Sequence, residues 1–159
     1  MMFDSILGGS LGGLVAFAFA IPALILELVE GGHVRNLPLL VDVKTFWGAK
    51  FSPFGTFLAG LLLHIVLGCL CGAIYPIFVV NSWLVFTNAP YTLLSLVIYA
   101  VGAWVIAGAG VFPLLGLGWF GRRQGKRVWM ELLTSMLIIG LGMWLLVQYY
   151  QPVFFSIPT

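Results

Sequence analysis

The chain has 159 residues, 62% of them hydrophobic and 8% charged, and a net charge of +2. Soluble domains carry about 25% charged residues. A chain this apolar cannot cover itself with water-compatible surface, which excludes an ordinary soluble enzyme and makes lipid the expected solvent. Its length allows a single domain, residues 1–159. The pattern below is that of an all-α integral membrane protein, a four-transmembrane-helix bundle. No nucleic-acid partner is expected.

The first predicted span covers residues 5–29. It opens with two overlapping GxxxG pairs, Gly8/Gly12 and Gly9/Gly13. Small residues at that spacing let two helix backbones approach closely in lipid. Pro22 removes one helix hydrogen bond and is expected to kink the span. Glu27 and Glu30 close it at the membrane surface. Ala16-Phe17-Ala18-Phe19-Ala20 contains a signal-peptidase-like A-x-A, but the basic n-region is missing, so a retained helix is expected.

Residues 30–53 form a loop in which apolar Leu39, Val43 and Trp47 alternate with Asp42, Lys44 and Lys50. Asn36 as cap and Pro38 in the first turn suggest a short amphipathic helix in the interface, roughly 38–49, with a plain loop as the main alternative.

The second span, 54–80, is preceded by Pro53 and contains no fully charged residue. His64 lies near its middle, and His64, Gly68, Cys71, Gly72 and Tyr75 share one helical face. Cys69 and Cys71 point to different sides, so they form neither a disulfide nor a metal site together. After an uncharged turn, Trp83, Phe86 and Tyr91 fit an aromatic belt. The third span, 92–117, is rich in glycine and carries Pro113. The following loop contains Arg122, Arg123, Lys126 and Arg127, and the fourth span is 129–148. An uncharged tail, 149–159, ends the chain.

All 7 Lys and Arg residues fall in the first and third connections. The positive-inside rule therefore puts those connections in the cytoplasm and both termini outside. A faint repeat suggests two tandem helical hairpins. Phe19-Ala20-Ile21-Pro22 parallels Gly110-Val111-Phe112-Pro113, and Leu61 to Gly68 parallels Leu133 to Gly140.

Two stretches carry a resemblance: His64-x3-Gly68-x3-Gly72-x2-Tyr75, and Phe112-Pro113-Leu114-Leu115-Gly116 leading into Gly118-Trp119-Phe120-Gly121. With them the chain resembles a loose group of small, uncharacterised four-helix membrane proteins of bacteria and archaea. The resemblance implies a prokaryotic inner-membrane protein working beside a larger complex.

His64 is the sharpest chemical candidate, because an ionisable residue inside a span is a functional hypothesis by default. A neutral imidazole can ligate haem iron or the magnesium of a chlorophyll. The alternative, which we favour, is one hydrogen bond to a carbonyl or hydroxyl on a neighbouring helix. His33 lies in the first loop, so one copy offers no second membrane histidine. Gly8, Gly12, Gly68 and Gly72 are the expected helix-packing positions. Arg122, Arg123, Lys126 and Arg127 are the expected contacts for lipid head groups or a partner's acidic patch. No phosphate loop, zinc-ligand spacing or Ser-His-Asp arrangement is recognisable.

The sequence therefore points to a non-catalytic accessory or structural subunit of a larger membrane complex, of the respiratory or photosynthetic kind. A small homo-oligomeric transporter or channel, using the interruptions at Pro22, Pro76 and Pro113, is one alternative. A haem- or chlorophyll-carrying subunit using His64 is the other.

Overall fold

A computed structural model describes residues 2–30, 45–46, 49–84 and 91–150. Within them lie four helices long and apolar enough to cross a bilayer. They are α1 (Met2–Glu30), α2 (Pro53–Val80), α3 (Leu93–Leu114) and α4 (Val128–Tyr150). Caps explain where two of them start. Ser52 precedes Pro53 and accepts a hydrogen bond from Gly55 N at 3.1 Å, and Thr92 accepts one from Ser95 N at 3.2 Å. Each satisfies an amide that the first helical turn leaves without a backbone partner. α2 ends where the Asn81 side chain donates back to the Ile77 carbonyl at 2.7 Å.

α1 and α2 pack antiparallel along their glycines. A Cβ built on Gly12 would fall on the Gly68 carbonyl oxygen, and one on Gly8 would fall on that of Gly72. Further along, a Cβ on Gly68 would lie 2.5 Å from Ala16 Cβ. Side chains larger than hydrogen are therefore excluded from the centre of this seam. α3 pairs with α4 in the same manner but less tightly, with Gly140 against Leu96 and Ala100. Gly142 of α4 faces Val15 and Phe19 of α1, which joins the two pairs. Buried apolar residues from all four helices, including Val15, Tyr75, Leu96 and Met143, fill the end opposite the basic loop. A second cluster around Leu67, Phe112, Leu117 and Leu132 fills the basic end.

α3 changes its winding before Pro113. Residues Ala107–Val111 form a π turn, followed by α-helical Phe112–Leu114. Proline supplies no N–H to the carbonyl four residues back and its ring crowds that carbonyl, and a wider turn relieves both. α1 and α2 continue as helix through Pro22 and Pro76. A π turn accompanies one of the three prolines. α3 also stops at Leu114, short of residue 117, because Gly116 and Gly118 take φ of +76° and +78°. Left-handed backbone at these positions turns the chain into the basic loop.

Most of the amphipathic helix expected at 38–49 lies outside the described residues. Its described end is not helical: Thr45–Phe46 and Ala49–Lys50 pair as a two-stranded antiparallel ladder. Thr and Phe both favour extended backbone over helix.

Candidate functional site

His64 is 7% exposed and projects from the middle of α2. Its Nδ1 lies 3.1 Å from Ser135 Oγ on α4. The main chain of Ala16 on α1 also lies close to the ring. Nε2 is buried and is in hydrogen-bonding geometry with no protein atom. The imidazole thus stands where three helices meet, with one nitrogen engaged. The Gly68–Ala16 contact one turn away makes this possible by drawing α1 against α2.

The space beside the ring is about 10 Å³ and is lined by Gly60, Leu67, Ser135 and Met136. That is the lower limit for a single water. A haem or chlorophyll does not fit, since Nδ1 is occupied and Nε2 is enclosed. Ser135 and His64 are within reach of each other as a nucleophile and base would be. Acyl transfer also needs donors for the developing oxyanion. Ser135 is interior to α4, where backbone amides are already used by the helix, and the space beside it among the described residues is about 10 Å³. The pair is a bond between helices.

Other polar side chains behave alike. Tyr75 of α2 is bonded to Ser95 of α3 at 2.7 Å, and Tyr99 of α3 donates to the Cys71 carbonyl at 2.8 Å. Trp104 Nε1 donates to the Trp129 carbonyl at 3.0 Å, and Gln148 to the Tyr91 carbonyl at 2.9 Å. The rings of Tyr75, Tyr91 and Tyr99 stack edgewise or tilted, with centroids 5.9 and 5.1 Å from Tyr75. Tyr91 is fully buried at φ +57°, so it does not belong to an aromatic belt. Burial, then the charge of Asp4, then Tyr75, push its hydroxyl well above the usual range, which keeps it a donor.

Asp4 is 2% exposed in the first turn of α1, a position the sequence reading passed over. Its signal was a single carboxylate just inside a helix start, where the helix dipole favours it. Ser135 was missed because a serine in an apolar helix looks neutral until its partner is known.

The sequence-marked glycines meet each other: Gly8 with Gly72, and Gly12 with Gly68. Cys69 lies against Gly13. Arg122, Arg123, Lys126 and Arg127 are all exposed. Their loop is folded rather than open. Arg123 N donates to the Leu117 carbonyl at 3.2 Å, and Phe120 stacks on Trp104 with centroids 4.8 Å apart. Glu131 begins α4 one turn after Arg127. His33 and the side chains of Glu27 and Glu30 lie outside the described residues. Among the described residues, no group of three or more His, Cys, Asp or Glu is placed to hold a metal ion.

No protein-family profile matches the chain, and no curated protein or solved structure is significantly similar to it. The functional argument therefore rests on geometry.

Proposed function

We propose that this is a multi-pass membrane protein of four spans whose role is structural: a non-catalytic accessory subunit of a larger membrane assembly. The two tightly packed pairs, α1 with α2 and α3 with α4, are the tandem hairpins of the faint repeat. The basic loop faces the cytoplasm and both termini face outward, as the distribution of Lys and Arg indicates.

One observation carries this reading. Buried polar side chains of the membrane-embedded part join helices to one another. His64–Ser135, Tyr75–Ser95 and Tyr99–Cys71 all link the first helix pair to the second. A carrier or channel needs polar groups facing a path. The space beside His64 is about 10 Å³, and the larger spaces along the helices are lined mainly by apolar residues. The small-residue seam of α1 and α2 is used inside the chain, so a partner would meet the apolar perimeter. On α1 that perimeter is a helical stripe of Leu14, Phe17, Ile21 and Ile25, all exposed.

Extraction in a mild detergent followed by native mass measurement tests the reading. The expected result is a particle much heavier than 17.3 kDa plus its detergent, containing other chains. A lone monomer, or solute flux after reconstitution into liposomes, would refute it.

A further inference from the structure

α2 and α3 are joined by the Tyr75–Ser95 and Tyr99–Cys71 bonds. Between them lies a cleft of about 390 Å³, within the range of small-molecule sites. Leu70, Ile74 and Phe78 line it on α2, and Gly102, Ala103 and Ile106 on α3. The cleft follows α3 from Ile98 to Val111, about 20 Å at the rise of a helix. Tyr99 reaches it, but that hydroxyl is already donated to the Cys71 carbonyl. An occupant therefore meets mainly hydrocarbon, with the Cys71 thiol beside it.

The basic loop is packed against the end of this helix. Phe120 lies on Gly108, and a Cβ on Gly121 would come within 3.2 Å of Phe112. Four exposed cations follow: Arg122, Arg123, Lys126 and Arg127. Glu131 is the single acidic residue from Phe112 to the end of the chain, so the region is strongly positive. An extended apolar cleft along a helix that leads into a basic loop is complementary to one kind of molecule.

We propose that the cleft between α2 and α3 binds an anionic phospholipid, with an acyl chain along Gly102 and Ala103 and the phosphate head group on the basic loop. Hydrocarbon contact supplies the apolar part, and the cations supply the preference for negative charge. Cytoplasmic-leaflet anionic lipids attract basic segments by about 1 kcal/mol per cation. A Cβ on Gly102 would meet nothing within 4 Å, so the space is left to the ligand. This site goes beyond the accessory role and does not depend on it.

The test measures lipid retained on the protein by native mass spectrometry, using dioleoyl phosphatidylglycerol and dioleoyl phosphatidylcholine as probes. The expected result is one tightly held phosphatidylglycerol per chain and weaker retention of phosphatidylcholine. Gly102→Phe fills the cleft from a position with room for the side chain, and should abolish tight retention of both. Arg122→Gln with Lys126→Gln, at exposed positions that folding does not need, should lower phosphatidylglycerol affinity roughly fivefold per cation and leave phosphatidylcholine unchanged. Equal retention of the two lipids by the unaltered protein would overturn the proposal. So would unchanged retention in Gly102→Phe, or loss of a bound protein in that variant with lipid retained, which would assign the cleft to a partner helix. A monomer that retains phosphatidylglycerol would sustain this site while refuting the accessory role.

Discussion

The same substitution should have opposite effects at two glycines of this protein. In Gly12→Ala the new methyl would fall on the Gly68 carbonyl oxygen and lie 3.0 Å from Gly72 Cα. Both neighbours are backbone, so no side chain can swing away. The helices must separate, and the contacts of Gly8 with Gly72 and of Ala16 with Gly68 open along the same seam. Overpacking of this kind costs about 1–3 kcal/mol. Alanine's better helix propensity returns up to about 1 kcal/mol. The net expectation for Gly12→Ala is a loss of about 1–2 kcal/mol. In Gly102→Ala the methyl meets nothing within 4 Å, so only the propensity remains and the variant should be neutral or slightly more stable. Reversible unfolding in mixed micelles of increasing SDS content measures both. Equal shifts at the two positions, or a stabilised Gly12→Ala, would refute the seam.

Further outcomes follow from the polar bonds and the charge distribution. His64→Phe and Ser135→Ala should be coupled by about 0.6 kcal/mol in a double-mutant cycle, the average for a membrane hydrogen bond. His64→Phe should also leave the visible spectrum unchanged, and loss of a haem or chlorophyll band would show that His64 is a ligand after all. Tyr75→Phe should destabilise by about 1 kcal/mol through the lost bond to Ser95 at 2.7 Å, measured by the same unfolding assay. A membrane-impermeant maleimide added from outside should label Ser156→Cys and spare Gly125→Cys. The reverse labelling would invert the topology.

Helix number and approximate bounds were legible because apolar length alone decides them. The α1–α2 seam was half legible. Gly8, Gly12, Gly68 and Gly72 stood out as close-approach positions, but sequence could not say that they meet each other rather than another protein. Spacing marks a face and only the fold names its partner. The α2–α3 cleft was illegible for the same reason, since Gly102 reads like any other glycine of that span. His64 was marked for burial without a charge, while Ser135 was not marked at all. The π turn needed more than the presence of proline, as α1 and α2 carry prolines without one. Tyr91 was misjudged because an aromatic beside a span end fits a belt, until its left-handed backbone turns it inward.

The central claim is that the outer face of this bundle is covered by other proteins in the native membrane. A photo-reactive phenylalanine analogue placed at Phe17, exposed on α1, reads this without extraction. Illumination of intact membranes should yield a discrete adduct heavier than the chain, in which mass spectrometry identifies a different membrane protein. Adducts with lipid alone, at Phe17 and equally at the neighbouring stripe positions Leu14 and Ile21, would contradict the account.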